Sequence, residues 1–287
     1  MIPGEFDYYA PTSLDEAVSL LSKHGDDAKI LAGGQSLIPA MRYRLALPEI
    51  LIDITGIDGM SYIREDNGHL AIGAMTTESE LEDSELVQDG YDMLSDAAFV
   101  IADPVVRNKA TVGGNIAHSD PANDHPAVML AYGAEVICLG PGGTRSIPID
   151  EFFTGLFENS LGDDEILTEI RVPRPAANSG TAYIKIERKV GDYAISAAAV
   201  NLVMDGDTVA GARIGLTNVS ATPMRARNAE AAIIGKILTD DVLEAAGAAA
   251  GAECDPAADL RGTVEYKRDL TRVLVKRAIK KAASRAG

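Results

Sequence analysis

The sequence predicts an α+β fold, and three observations predict it. Its first part alternates short apolar, β-branched runs with capped helical stretches, the pattern of compact α/β units. The composition shifts at Val172-Pro173-Arg174-Pro175. Beyond that point three strand-like runs are followed only by helical ones, so a sheet is expected with helices packed on one face. These breaks divide the 287 residues into 1–57, 58–175 and 176–287, each of workable domain size or a little under it.

Taken in order, Ser13-Leu14-Asp15-Glu16 reads as a capping box opening a helix that buries Leu14, Val18 and Leu21 and stops at Gly25. Residues 28–31 form a brief buried strand. Residues 35–45 continue as helix, with Pro39 tolerated in the first turn, and 50–54 are a second β-branched strand. Two strands at 60–63 and 69–72 flank the turn Asp66-Asn67-Gly68. Residues 76–86 and 93–101 read as helical, and Asp103-Pro104 breaks the pattern. The stretch from His118 to Pro126 is expected to be irregular, then 127–132 a short buried helix, and 135–139 a strand closed by Gly140-Pro141-Gly142-Gly143. In the last part the strands are 182–188, 195–204 and 209–216. Asp205-Gly206-Asp207 marks the hairpin between the last two, and helices follow at 225–234, 240–253 and 263–283.

Two stretches carry the chemistry. Lys29-Ile30-Leu31-Ala32-Gly33-Gly34-Gln35-Ser36 and Ala110-Thr111-Val112-Gly113-Gly114-Asn115-Ile116 each break from apolar residues into a Gly-Gly pair and a small polar residue. Glycine permits positive φ and close backbone approach, and successive exposed N–H groups make a concave anion site. Two such loops, eighty residues apart, can close on one dinucleotide. Neither matches Gly-x-Gly-x-x-Gly or the phosphate loop of nucleotide hydrolases, so the fold is not Rossmann's.

Composition narrows the partners. A net charge of −17, from 43 acidic and 26 basic residues, argues against nucleic acid or an anionic membrane surface. An anionic ligand must then be held by backbone amides and local cations, for which Lys29, Arg42, Arg44, Arg107 and Lys109 are the candidates. No apolar run approaches the roughly 20 residues of a membrane span. The N-terminal residues lack the features of a signal peptide. Cys138 and Cys254 are too few for a zinc or iron–sulfur site. The expected address is the cytoplasm, including peripheral attachment at the inner face of the membrane. His118, Asp120, Asp124 and His125 lack the spacing of a metal site, and no nucleophile sits in a recognisable elbow, so neither a metal ligand nor a catalytic residue is assigned. Asp124 is a candidate acceptor for a ribose or ribityl hydroxyl. Tyr193, in the polar break Arg188-Lys189-Val190-Gly191-Asp192-Tyr193-Ala194, is an aromatic able to stack on a flat ring or to pack its own hairpin.

Ala32-Gly33-Gly34-Gln35-Ser36, Thr111-Val112-Gly113-Gly114-Asn115 and Lys189-Val190-Gly191-Asp192-Tyr193-Ala194 resemble the FAD-binding subunits of the molybdenum hydroxylases, the family of the flavin part of xanthine dehydrogenase. Ile101-Ala102-Asp103-Pro104, Ile116-Ala117-His118, Asn123-Asp124-His125-Pro126-Ala127, Leu216-Thr217-Asn218-Val219 and Asp259-Leu260-Arg261-Gly262 are similar to it as well, in order along the chain.

The resemblance implies a vanillyl-alcohol-oxidase-type FAD-binding fold. Residues 1–57 and 58–175 would be its N-terminal and middle subdomains. Residues 176–287 would be a C-terminal α+β domain with a three-stranded antiparallel sheet and helices. Non-covalent FAD would lie between the first two. The backbone of Ala32, Gly33, Gly34, Gln35 and Ser36, and that of Thr111, Val112, Gly113, Gly114 and Asn115, would hold the pyrophosphate. Ile101 and Leu161 would line the cofactor, Asp124 would bond a polar part of it, Lys185 would neutralise reduced flavin and Tyr193 would lie against the isoalloxazine. Gln35, where near relatives carry histidine, and Glu187, where lysine is more usual, depart from the pattern.

The resemblance also implies partners: an iron–sulfur small subunit with [2Fe-2S] clusters and a molybdenum-cofactor large subunit, in a dimer of heterotrimers. Electrons would pass from the clusters to FAD and on to an external acceptor. Three rival readings stay open on sequence: a relative serving a hydroxylase of N-heterocycles or aromatic thioesters, a free-standing flavin oxidase, and a non-catalytic nucleotide-binding module.

Overall fold

The computed structural model describes residues 2–286. The chain opens with β1 (Asp7–Tyr9), α1 (Leu14–His24), β2 (Ala28–Leu31), α2 (Leu37–Arg42) and β3 (Ile50–Asp53). These three strands make a parallel sheet in the order β1-β3-β2. Ser13 caps α1 by accepting the Glu16 N–H, but the Glu16 carboxylate takes the N–H of Thr12 rather than that of Ser13. The expected reciprocal box is therefore half made.

The next stretch holds β4 (Ile63–Asp66), β5 (His69–Gly73), α3 (Glu78–Glu82), α4 (Glu85–Gly90), α5 (Asp92–Val100), α6 (Pro104–Arg107), α7 (Val112–His118), α8 (Asp124–Tyr132), β6 (Glu135–Gly140), β7 (Gly143–Pro148), the small pair β8 (Phe153–Gly155) and β9 (Glu158–Asn159), and β10 (Ile166–Pro173). The sheet runs β4-β5-β10-β6-β7, antiparallel throughout.

Several local readings change here. The first strand of the 60–73 hairpin starts at Ile63, not Met60, because the Met60 and Tyr62 carbonyls accept from Met75 and Gly73 at the far end of β5. Residues 76–86 are two short helices, not one, broken at Asp83-Ser84. Asp103-Pro104 starts a helix instead of ending one: Asp103 accepts the Val106 N–H, and Pro104 takes the first position, where its missing donor costs nothing. Gly113 and Gly114 lie in the first turn of α7, capped by Thr111, not in a positive-φ loop. The segment expected to be irregular up to Pro126 is so only over 119–123, because α8 starts at Asp124 and Pro126 sits within its first turn.

The last part contains β11 (Ser179–Glu187), β12 (Ala194–Asp205), β13 (Thr208–Thr217), β14 (Met224–Arg225), α9 (Arg227–Ile233), α10 (Asp240–Glu253) and α11 (Val264–Ala283). Its antiparallel sheet has four strands in sequence order, one more than expected, since two-residue β14 joins the edge. This sheet is buried on both faces. Ala198, Val200 and Leu202 of β12 join a core with α10 and α11, while Ala197 and Ala199 join the larger core that contains α5 and α8, as the period-2 alternation of a strand requires. The many alanines of β12 leave room for helices on both sides.

The approach to α8 is tight enough that a Cβ on Gly215 would lie 2.1 Å from the carbonyl oxygen of Ala127. Gly215→Ala should therefore destabilise the chain by about 1–3 kcal/mol, the cost of overpacking, whereas a Cβ at Gly206 meets nothing within 4 Å and Gly206→Ala should cost only the strain of its positive φ. Denaturant unfolding of both variants checks the order.

Candidate functional site

The two Gly-Gly stretches lie against each other. A Cβ on Gly33 would sit 2.0 Å from the Lys109 carbonyl oxygen, and one on Gly114 would come within 3.8 Å of the Ala32 Cβ. Gly33 is thus required for the passage of one backbone past another, and Gly113 likewise, since a Cβ there would lie 2.6 Å from both the carbonyl oxygen and the Cβ of Ala74.

Their amides divide sharply. The N–H groups of Val112, Gly113, Gly114 and Asn115 donate to Thr76 O (2.9 Å), Ala74 O (3.1 Å), Thr111 Oγ1 (3.1 Å) and Thr111 O (2.9 Å). By contrast, the N–H groups of Gly33, Gly34, Gln35 and Ser36 donate to no protein acceptor among the described residues. Gly34 takes φ +71°, the left-handed step that turns consecutive amides into a concave nest. Ser36 stands at the start of α2, yet its hydroxyl caps nothing. In the second stretch, Asn115 Oδ1 is buried without a hydrogen-bond partner. Buried polar groups are seldom left so. Four free donors on one stretch and an orphaned amide oxygen on the stretch packed against it are what an anionic ligand bearing hydroxyls would satisfy, so the residues present fit a dinucleotide. In the second stretch the N–H groups of Val112 to Asn115 are already paired within the protein, while the Thr111 N–H donates to no protein acceptor among the described residues.

Asp124, at the first turn of α8, accepts from the Tyr183 hydroxyl and from Lys185 Nζ at 3.0 Å. Lys185 also donates to Val100 O (3.0 Å), lies 3.2 Å from Glu187 Oε2, and keeps only 2% of its side chain exposed. Burial pushes the Asp124 carboxyl up against the pull of Lys185, and burial with Asp124 beside it holds the Tyr183 phenol well above its ordinary value. Sequence reading missed Tyr183; its period-2 spacing from Lys185 on β11, which puts both on one face, was the available signal. Glu187, the expected departure, completes the pairing of Lys185.

Ile101 is buried, and its carbonyl and that of Ala102 each accept from Arg107 at 3.0 Å, while Arg107 Nε lies 2.9 Å from Glu82 Oε2. Arg107 is thereby removed from the cations available to a ligand, whereas Lys29, Arg42, Arg44 and Lys109 remain exposed. Gly191 (φ +76°) brings the 188–193 segment onto Ala102, whose carbonyl oxygen a Cβ would approach to 2.7 Å. Asp192 accepts from Arg261 (2.7 Å), which holds its carboxyl below the usual range. Tyr193 is 42% exposed, with the Arg261 guanidinium 5.4 Å from its ring centre. Leu161 is half-buried against the larger core, next to Asn159, which donates to Ala117 O of α7. Among the described residues no three His, Cys, Asp or Glu side chains gather as metal ligands; His118 lies beside Phe157 instead, at 5.2 Å between centroids.

Comparison with known proteins then places the chain. Residues 4–175 match the family described as "FAD binding domain in molybdopterin dehydrogenase", and residues 181–282 match "CO dehydrogenase flavoprotein C-terminal domain". The chain belongs to this family of molybdenum-hydroxylase flavoproteins. Among the relatives of this flavoprotein is the carbon monoxide dehydrogenase medium chain of Hydrogenophaga pseudoflava, 47% identical over 99% of both chains. The corresponding medium chain of Afipia carboxidovorans is 43% identical over 100% of this chain and 99% of that one. A solved structure of the Hydrogenophaga pseudoflava carbon monoxide dehydrogenase superposes with a TM-score of 0.98 at 49% identity, covering 100% of both chains. The flavoprotein therefore has the FAD-binding fold expected from its sequence, with a C-terminal α+β domain.

One pair ties the site's elements together. His125 Nε2 lies 2.7 Å from Glu78 Oε2, with both side chains 0% exposed. Glu78 N–H also donates to Ala110 O, so the pair links α8 to the second stretch. Burial works against a charged imidazole, but the adjoining Glu78 carboxylate outweighs it and raises the His125 pKa. The contribution of a raised histidine is fully present below its unfolded value of about 6.5 and is lost as pH rises through the higher folded value. Stability measured by urea unfolding should fall across that window, and Glu78→Gln should flatten the slope while costing about 3–5 kcal/mol at pH 6, as expected for breaking a buried pair.

Proposed function

We propose that this flavoprotein is the FAD-carrying electron-transfer subunit of a molybdenum hydroxylase, an aerobic carbon monoxide dehydrogenase. It takes electrons from [2Fe-2S] clusters on an iron–sulfur small subunit and passes them to an external acceptor, and the molybdenum cofactor resides on a large subunit. The observation that carries this reading is full-length likeness to two carbon monoxide dehydrogenase medium chains at 47% and 43% identity, above the 37% and 35% to relatives named for 6-hydroxypseudooxynicotine and caffeine. The assembly is a dimer of heterotrimers in the cytoplasm, at most peripheral at the inner face of the membrane; among the described residues no helix is long and apolar enough to cross one. Residues 1–57, 58–175 and 176–287 act as three domains, each built around its own principal sheet.

Gly33, Gly34, Gln35 and Ser36 hold the pyrophosphate through their free N–H groups, and Ala32 with Thr111, Val112, Gly113 and Gly114 walls the same groove. Asn115 meets the cofactor with its side-chain amide. Asp124, fixed by Tyr183 and Lys185, sets a polar surface beside Ile101 and Leu161. Tyr193 covers the ring from the C-terminal domain. Bound flavin supplies the ability to take electrons singly and release them in pairs; the chain binds, orients and shields it.

Because Asn115 Oδ1 has no protein partner, Asn115→Ala should leave the FAD-free chain as stable as wild type. It should weaken FAD binding about fivefold, since one hydrogen bond from a neutral ligand hydroxyl is worth ~1 kcal/mol and about 1.4 kcal/mol is a decade. Titration calorimetry alongside thermal melting checks both halves. For the function itself, carbon monoxide should bleach the flavin absorbance of the purified three-subunit assembly and leave that of the isolated chain unchanged. An assembly bleached by a heterocyclic substrate but not by carbon monoxide would move the reading to a sister enzyme.

A further inference from the structure

The late motif Asp259-Leu260-Arg261-Gly262 lies far in sequence from both Gly-Gly stretches, yet the fold returns it to the candidate site. Asp259 holds the turn. Its Oδ1 accepts the N–H groups of Arg261 (2.7 Å) and Gly262 (3.0 Å), and its Oδ2 accepts Lys267 Nζ at 2.7 Å. Lys267 belongs to α11 and keeps 2% of its side chain exposed, so the turn is fastened to the C-terminal core. From there the Arg261 guanidinium reaches the 188–193 segment. It donates to Asp192 Oδ1 at 2.7 Å, and its carbon lies 5.4 Å from the centre of the Tyr193 ring, within reach of cation–π attraction. The same Asp192 oxygen accepts the Tyr193 N–H at 2.9 Å. One carboxylate thus ties the backbone of Tyr193 to the cation that faces its ring. The ends of the segment are fixed separately: Gly191 passes the Ala102 carbonyl, where a Cβ would come to 2.7 Å, and the Asn218 amide donates to Ala194 O at 2.6 Å. What remains to be set is the direction of the half-exposed Tyr193 ring, which its side-chain torsions decide.

We infer that Arg261 is a positioning residue for the cofactor site: through Asp192 and the face of Tyr193 it holds that ring in the orientation that covers the flavin. The inference deepens the proposed function and rests on it for the presence of FAD beside Tyr193. Arg261 does more than close an ion pair. Its Nε is buried with no hydrogen-bond partner, a desolvation cost that pairing with Asp192 alone leaves unmet. Arg188, 3.4 Å from the other Asp192 oxygen, is 64% exposed and faces no ring among the described residues. A planar guanidinium suits the post because it can face an aromatic ring and donate to a carboxylate at once. A ring ordered before the ligand arrives also spares the binding step the cost of ordering it.

The test is a double-mutant cycle on the assembled protein, freed of FAD and then titrated with it. Arg261→Gln and Tyr193→Ala are made singly and together. Each protein is read by its FAD dissociation constant and by the visible circular dichroism of the bound flavin. Arg261→Gln should weaken FAD binding about two- to tenfold, the range of one aromatic contact, and change the dichroism. In the Tyr193→Ala background the same substitution should do neither, because the ring it positions is gone. Equal effects with and without the ring would mean that Arg261 acts on FAD or on the fold by itself, and would overturn the inference. So would an Arg261→Gln protein that binds FAD as wild type does with unchanged dichroism. If Arg261→Gln lowers the melting temperature of the FAD-free protein, Asp192→Asn decides, since its side-chain oxygen can still take the Tyr193 N–H. It should reproduce the loss of affinity only where Tyr193 is present, and a loss independent of Tyr193 would count against the inference. Arg188→Gln, which removes the other cation from the same carboxylate, should leave both readings at wild-type values. A matching loss there would assign the effect to net charge and overturn the role of the ring. Wild-type protein that takes up no FAD would overturn the proposed function together with the inference, whereas uptake with an additive cycle would overturn the inference alone.

Discussion

The near-contact between two backbones, Gly33 against the carbonyl of Lys109, is what the site's geometry depends on. With no Cβ in the way, the first stretch can lie flat on the second. Gly113 does the same one layer deeper, against Ala74. The second stretch is held there by giving its N–H groups to Thr76, Ala74 and Thr111. It becomes a rigid floor, and the donors of Gly33 through Ser36 are left over above it. Two motifs that look alike in sequence therefore differ in what they leave over: in one only the Thr111 N–H stays unpaired, in the other four consecutive N–H groups are open.

The leftover donors matter because of the chain's charge. With 43 acidic residues against 26 basic ones, the overall field repels an anion, and local cations are partly consumed: Arg107 serves Glu82 and two carbonyls, and Lys185 serves Asp124 and Glu187. Backbone dipoles are then the natural means of holding a dianionic pyrophosphate, since they add no net charge and lie fixed before the ligand arrives. The same economy explains the buried chain of Glu78, His125, Asp124 and Lys185, in which opposite charges compensate one another inside the protein rather than facing a ligand. Breaking any one member would strand the others in a low-dielectric interior.

Much of the fold was legible because local chemistry and tertiary structure agree. Thr263, Thr239 and Ser13 cap the helices that their positions announce, and Gly206 turns the hairpin between two long strands. Where reading failed, a tertiary contact overrode a local signal. The Gly113-Gly114 pair reads as a turn but is helical: Gly113 packs against Ala74, and the Thr111 hydroxyl caps the Gly114 N–H. Pro104 and Pro126 read as breaks but occupy first turns, where proline is compatible with a helix. The candidate residues were found through motifs, and the structure brings some of them together: Gly33 against Lys109, Gly114 near Ala32, and Lys185 onto Asp124. The Glu78–His125 pair was not legible at all: its members are far apart in sequence, and each alone looks like an ordinary polar residue.

The central claim is that the backbone of Gly33 to Ser36, and not that of Val112 to Asn115, holds the cofactor's pyrophosphate. Amide hydrogen exchange at single-residue resolution, on the assembled protein with FAD and after its removal, tests this most directly. The account predicts strong FAD-dependent protection at Gly33, Gly34, Gln35 and Ser36, with Val112 to Asn115 protected equally in both states. Protection by FAD at Val112 to Asn115, with unchanged exchange at Gly33 to Ser36, would contradict it.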